Sequence, residues 1–343
     1  MRTMTNDQHD GLMVIDTHVD IPWPEGPSPF EDGPRCVDLP KLRRGEVSAV
    51  CFAAYIPQGM RDAAGHEAAT SRARAMLGSI TAMAQGEAGG MLALSAAAVE
   101  AAFAAGKPGI IPVIENGYAI GKNIALLDEF AGLGIRYMTL THNGHNEIAD
   151  AAIALPVLGD KAEKYGGLSD FGQSVVTRMN ELGVLVDVSH ASKKTMMQAA
   201  RLSRTPVVAT HSCMKTLCDH KRNLDDEQLE ILAATGGLAQ ITIVSNFLRP
   251  KARASDLTVE DIVDHVDYAV KRMGIDHVGI GTDFDGGGGV RGYMNAAQTP
   301  NLTAALAKRG YGREEISKIW GGNFLRLMRK AETIAAERKA AAD

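Results

Sequence analysis

The stretch "LMVIDTHVDIPW", residues 12–23, runs from apolar residues straight into Asp16, His18 and Asp20, three ionisable side chains spaced two apart. In an extended chain alternate residues point the same way, so His18 and Asp20 project together from one strand end. That is how a chain offers two ligands to one metal ion, and a polar strand end would look the same. The test is whether distant segments supply matching groups. They do: "GIIPVIE" ends in Glu115, "IRYMTLTH" in His142, "VLVDVSH" in His190, "PVVATH" in His211 and "HVGIGTD" in Asp283.

These groups need elements that bring them to one place. Eight short apolar runs recur along the chain, at 12–16, 47–55, 109–115, 135–142, 184–190, 206–211, 238–244 and 277–283. Between them lie helical segments such as "HEAATSRARAMLGSITAMAQ", "LSDFGQSVVTRMNELG" with a Ser169 cap and a Gly183 stop, "SKKTMMQAARLS", "DDEQLEILAATGG" and "TVEDIVDHVDYAVKRMG". Strands alternating with helices imply parallel neighbours joined by crossovers, and eight is the number that closes a barrel. The expected fold is α/β, a (β/α)8 TIM-like barrel with C-terminal helices, as one domain over 1–343 with its core at about 12–330. The tail "YGREEISKIWGGNFLRLMRKAETIAAERKAAAD" reads as two helices broken at Gly321 and Gly322, with a frayed end. The segment 143–167 reads as a long loop over the active face.

In such a barrel the C-terminal strand ends share one rim. Imidazoles and carboxylates gathered there would desolvate and repel one another unless cations neutralised them. Imidazole with carboxylate and no thiolate suits Zn²⁺, with Co²⁺ or Mn²⁺ as substitutes. Two metals can share a bridging carboxylate and a bridging hydroxide that is nucleophilic near neutral pH. Glu115 lies between the two ligand groups in chain order and is the natural bridge. The second and seventh runs contribute no group to this set.

Bulk properties exclude other classes. The chain has 343 residues, 45% hydrophobic and 22% charged, with a formal charge of −5 and no basic run, so it builds a large core and gives nucleic-acid binding no support. No apolar stretch reaches the roughly 18 residues of a membrane helix, and "MRTMTNDQHDG" lacks a signal-peptide core, so a cytoplasmic protein without membrane association is expected. Cys36, Cys51, Cys213 and Cys218 read as free thiols, the C-x4-C pair lacking the second pair that a zinc finger needs. "DGGGGV" at 285–290 lacks the Lys and Ser/Thr of a phosphate loop and reads as a flexible lid or loop. Met-rich "KTMMQAA" reads as core packing.

Taken together, "DTHVDIPW", "IPVIENGYAI", "RYMTLTHN", "GLSDFGQSVVTRMNELGVLVDVSHAS", "PVVATHS" with "KRNLDD", "VGIGTDFDG" and "GGNFLR" resemble the membrane dipeptidase (renal dipeptidase) family of zinc metallopeptidases, among the amidohydrolase-like barrels. The resemblance spans about residues 12–330. It implies two zinc ions: His18 and Asp20 on the first, His190 and His211 on the second, Glu115 bridging. It further implies that His142 meets the oxyanion, that Arg222 holds the substrate's terminal carboxylate, and that Asp283 carries the proton to the leaving amine, while Asp285 orders its loop. Where the family often has "EGG" this chain has "ENG", which puts Asn116 beside the bridge. "NGHNEIADAA" after His142 is closer to the bacterial branch than to the vertebrate one. Family members are commonly homodimers, and the secretion and lipid-anchor signals of vertebrate relatives are not seen here.

The reaction implied is hydrolysis of the amide bond of a dipeptide. Two other readings are an amidohydrolase of the same barrel type acting on a cyclic amide, lactam or lactone, and a catalytically silent metal-binding protein. Related barrels often bridge their metals with a modified lysine on the fourth strand. "MTLTH" has none, which favours the dipeptidase arrangement, and the presence of Asp283 and His142 speaks against a silent protein.

Overall fold

The computed structural model describes residues 8–21 and 26–342; residues 1–7, residues 22–25 with Trp23 of the first quoted stretch, and Asp343 lie outside the described residues. Nine parallel strands form one sheet: β1 (Ile15–Asp20), β2 (Ala49–Tyr55), β3 (Met91–Leu92), β4 (Gly109–Glu115), β5 (Tyr137–Thr139), β6 (Leu185–Asp187), β7 (Val208–Ser212), β8 (Leu238–Ile241) and β9 (Val278–Ile280). Their order is β1-β2-β4-β5-β6-β7-β8-β9, with β3 beside β4. The ring closes through Asp20 N–H to the Phe284 carbonyl at 3.0 Å and Asp283 N–H to the His18 carbonyl at 2.9 Å. This is the expected eight-stranded barrel. Each expected run overlaps a strand, and the addition is β3, whose two residues pair with Gly109 and Ile110 of β4 and are too short to show a period.

Alternation along the strands separates two cores. Val50, Phe52, Ala54, Ile110 and Ile114 join the cluster under the helices, whereas Ala49, Cys51, Ala53, Ile111, Val113 and Tyr137 join a second cluster with Phe324, Leu327 and Met328 of the last helix. The helix Asp170–Leu182 starts at Ser169, whose hydroxyl accepts from Gly172 N–H, and stops at left-handed Gly183. Met196 and Met197 are buried, as core residues. All four cysteines are free thiols.

The tail departs from expectation. Arg313–Ser317 passes through a π-turn at Lys318–Gly322 into a helix running on to Ala342, so the helical path continues across the two glycines. A Cβ at Gly321 would stand 2.8 Å from the Met13 carbonyl oxygen, so this glycine serves close approach to the barrel rather than helix termination. The 143–167 loop is pinned from within. Asp150 accepts from the N–H groups of Lys164, Tyr165, Gly166 and Gly167, and Asp160 accepts from those of His145 and Leu155 while pairing with Arg61 at 2.6 Å. The glycine run is a loop tied down through Gly288 N–H to Asp283 O and Gly289 N–H to Ile243 O, not a free lid. No helix among the described residues is long and apolar enough to cross a membrane.

Candidate metal centre

Glu115, the last residue of β4, stands at the centre of the C-terminal rim. Its Oε1 lies 3.0 Å from His190 Nε2, 3.5 Å from His211 Nε2 and 3.9 Å from His142 Nε2, and its Oε2 lies 3.7 Å from His18 Nε2. His18 Nε2 is also 3.7 Å from Asp20 Oδ1. His18 and His211 face each other with ring centroids 3.8 Å apart, and His142 and His190 do so at 4.1 Å. Potential ligand atoms within 4.8 Å of one another fall into three groups: His18, Glu115 and His211; Glu115, His142 and His190; His18, Asp20 and Asp283. All seven side chains converge from six barrel strands and the turns after them.

The alternation argument holds for His18 and Asp20 but not for Asp16. A register shift interrupts β1 between Asp16 and Val19. The Asp16 carboxylate accepts instead from Thr282 N–H at 2.9 Å and Thr282 Oγ–H at 2.6 Å, fastening β1 to the segment that carries Asp283. His142 and His190 do not close strands. β5 and β6 end at Thr139 and Asp187, three residues earlier, because the Asp187 carboxylate takes the N–H groups of Ser189 and Thr210 and turns the chain out of the ladder.

Three of the four imidazoles are oriented by what their Nδ1 meets. Tyr137 OH donates to the Thr17 carbonyl at 3.0 Å, so it accepts from His18 Nδ1–H at 2.7 Å. His190 Nδ1–H meets Asn143 Oδ1 at 3.3 Å, and His211 Nδ1 meets Thr210 Oγ1 at 2.9 Å. In all three the Nε2 is left to face the cluster, the arrangement that outer partners impose on metal-binding histidines. The sequence does not single out Tyr137, Asn143 and Thr210: Tyr137 meets His18 across the barrel, Asn143 reaches His190 from the loop after β5, and Thr210 is the chain neighbour of His211. Tyr55 was missed as well: from the end of β2 it sets its ring edge against His142 at 4.8 Å, so the second run does face the site.

The charge balance asks for a cation. Burial pushes Asp20 up to about 6, with Glu115 adding to the rise against His18. Burial pushes Asp283 well above the carboxylate range, with Asp20 next. Burial would raise Glu115 too, but the imidazoles, His18 foremost, hold it well below its usual value. Burial would lower His18, yet Glu115 and Asp20 draw a proton to it. His190 and His211 are held well below the usual imidazole value, by burial first, with Arg222 and His18 respectively adding to it. Among the described residues, buried His18 Nε2, His211 Nε2 and Asp20 Oδ1 have no hydrogen-bond partner. Orphaned nitrogen and oxygen donors around a buried carboxylate fit a divalent metal that takes the place of that proton.

Two further groups face this centre. Arg222, 3% exposed, donates to the His211 carbonyl at 3.2 Å, stacks over Phe247, and keeps its Nε without a partner; burial lowers it to about 10. His142 is lowered by burial, with Arg222 adding to the effect. Asp285 instead points away, accepting from Cys36 N–H at 2.7 Å and Val37 N–H at 3.1 Å, the loop-ordering part expected of it.

Residues 4–342 match the family model of membrane dipeptidase, peptidase family M19. The chain belongs to the membrane dipeptidase family. It is 32% identical over 344 residues to dipeptidase tcpJ of Claviceps purpurea, covering 98% of this chain and 79% of that protein. Among solved structures it is similar to the probable dipeptidase PvdM from Pseudomonas aeruginosa, with a TM-score of 0.91 at 29% identity over 96% of this chain and 98% of that one. It is also similar to a metallopeptidase from Rhodobacter sphaeroides liganded with a phosphinate mimic of the dipeptide L-Ala-D-Ala, with a TM-score of 0.81 at 26% identity, covering 94% of this chain and 100% of that one.

Proposed function

We propose that the protein is a binuclear zinc dipeptidase. The observation that carries this is the gathering of His18, Asp20, His190 and His211 around Glu115 with their ligand atoms turned inward and several of them orphaned. His18 and Asp20 would hold one ion, His190 and His211 the other, and Glu115 both. When bound, such ions polarise a carbonyl and supply hydroxide near neutral pH.

The chain's own groups do the rest. Arg222 binds the substrate's terminal carboxylate, its buried guanidinium having no competing carboxylate hydrogen-bonded to it among the described residues. A third residue would have to extend through that position, so longer peptides are rejected. His142 donates a hydrogen bond where the oxyanion develops. Asp283 accepts a proton from the attacking water and returns it to the leaving amine. Its nearness to His18 and Asp20 also allows it to ligate, and that second reading has its own signature below. The dipeptide mimic on the Rhodobacter sphaeroides relative supports the substrate class. Family resemblance supports a homodimer and the sequence reading supports a cytoplasmic setting, which sedimentation and fractionation would test.

The deciding experiment is a panel of dipeptides, L-Ala-D-Ala included, and matched tripeptides on zinc-reconstituted protein and on Asp283→Asn. Turnover of dipeptides alone, lost by 10²-fold or more in the variant with two ions retained, is the expected result. Loss of one ion in Asp283→Asn makes Asp283 a ligand. Tripeptides cleaved as fast as dipeptides, or unchanged turnover in Asp283→Asn, overturn the assignment.

A further inference from the structure

Beneath the rim lies a polar layer that the reaction scheme leaves unused. Asp187, wholly buried at the end of β6, accepts from Thr210 Oγ–H at 2.8 Å, Thr139 Oγ–H at 2.6 Å, Ser189 N–H at 2.9 Å and Thr210 N–H at 3.1 Å. Thr210 has one hydroxyl proton. With that proton committed to Asp187, its Oγ can only accept from His211, whose Nδ1 is 2.9 Å away. The acceptor on His211 therefore differs in kind from those on the other two imidazoles. His18 meets a phenol anchored on a backbone carbonyl and His190 meets an amide oxygen, whereas His211 meets a hydroxyl whose direction is set by a buried carboxylate.

We infer that Asp187 is a positioning residue that acts through Thr210 to hold His211 as its Nδ1–H tautomer, with Nε2 presented to the metal centre. This rests on the reading of His211 as a metal ligand. A hydroxyl left free to rotate could donate to Nδ1 instead, which would place the ring proton on Nε2 and close that atom to a metal. A carboxylate with its acceptor side toward Thr210 forbids that rotation. The same layer also joins β5, β6 and β7, so a purely structural part must be separated from a ligand-directing one. Thr139 makes the separation possible, because it bonds the same Asp187 oxygen but leads away from His211.

The experiment uses the full chain as Thr210→Val, Thr210→Ser, Asp187→Asn and Thr139→Val. ¹⁵N spectra of the histidine rings in metal-free protein, at a pH where they are neutral, should show the Nδ1–H form of His211 in wild type and Thr210→Ser, and a shift toward the Nε2–H form in Thr210→Val and Asp187→Asn. Zinc titration against a chelator should find one of two ions weakened 10- to 100-fold in those two variants, restored in Thr210→Ser, and unaltered in Thr139→Val even where its melting temperature falls. If Thr210→Val does not fold, Asp187→Asn and the wild-type tautomer still decide. An Nε2–H tautomer in wild type, or zinc affinity that falls equally in Thr139→Val, overturns the inference while leaving two bound ions intact. A wild-type protein that takes up no metal overturns the underlying metal-centre reading together with it.

Discussion

Gly286 offers a way to move the site's carboxylates without touching them. It lies on the turn after Asp283, and a Cβ there would stand 2.3 Å from Asp283 Oδ1 and 2.5 Å from Asp20 Oδ2. Ordinary contact begins near 3.4 Å. In Gly286→Ala one or both carboxylates must therefore retreat by about 1 Å, a displacement that costs on the order of 100-fold in rate when it affects groups aligned with reacting atoms. The backbone itself accepts alanine, since Gly286 is exposed and does not adopt positive φ. The fold should melt within a few degrees of wild type, as surface substitutions usually change stability by less than about 0.5 kcal/mol. The assay is kcat and KM on a dipeptide at saturating zinc, with bound metal counted in parallel. A drop of on the order of 100-fold, with or without weaker binding of the ion on Asp20, is expected. Activity within about threefold of wild type at full metal content would show that Asp20 and Asp283 need no fixed placement, and the reasoning would fail.

Three other perturbations follow from the same geometry. Asn116 adopts φ +88° and spends its amide on Ile56 O, Gln58 Oε1, Tyr118 N–H and Asn146 Nδ2; at about 1 kcal/mol per bond, Asn116→Ala should lose roughly 3–4 kcal/mol in urea unfolding. Asn116→Gly loses the same bonds but relieves the backbone, so it should be the more stable of the two by about 1–2 kcal/mol. His9 is buried between Thr303 Oγ1 and the Gly45 carbonyl, and burial holds it below the usual value of 6.5. The unfolded chain then binds the extra proton first, so stability is complete above pH 6.5 and declines as pH falls toward the folded-state value; His9→Gln should flatten that slope in melting curves. Stripping the protein with a chelator should abolish turnover and lower the melting temperature, both restored by zinc, because an ion that binds only the folded state stabilises it; melting unchanged by metal would count against the centre.

The barrel was legible because its information is local. A run such as "GIIPVIE" is a strand by its own composition, and β4 occupies that run from end to end. The rim was legible because parallel strands share one direction, so His18, Glu115, His211 and the rest could be gathered by topology alone. What escaped depends on register between strands. Tyr137 lies in the middle of an apolar run and looks like core, and only its placement across the barrel from β1 turns its hydroxyl onto His18. Asp187 and Thr210 sit in "VLVDVSH" and "PVVATH" as the polar residues of two strands, and only the pairing of β6 with β7 makes them partners. The break expected at Gly321 and Gly322 failed for a related reason: propensity reads glycine as a helix stop, while the close passage of Met13 gives it another use.

Backbone strain ties these observations together. Asn116, His190, Asp283 and Asp285 are four of the non-glycine residues with positive φ among the described residues, and all of them follow C-terminal ends of barrel strands. The left-handed conformation costs a side-chain-bearing residue about 1–2 kcal/mol, and Asn and Asp, whose short polar side chains bond locally, visit it most readily after Gly. For His190 and Asp283 it accompanies a side chain that joins the cluster just after the strand has ended, whereas Asn116 and Asp285 spend their side chains on the surrounding loops. His190 is the telling case, since its φ of +63° is accompanied by contacts of the ring with Asn143, His142 and His211 and by a bond from Ala152 N–H to its carbonyl. His190→Asn would suit that backbone better and would also withdraw the nitrogen that stands 3.0 Å from Glu115. Under the proposed metal centre, backbone stability and ligation thus pull in opposite directions at this residue, so His190→Asn should hold or raise the melting temperature of the metal-free protein while weakening zinc binding.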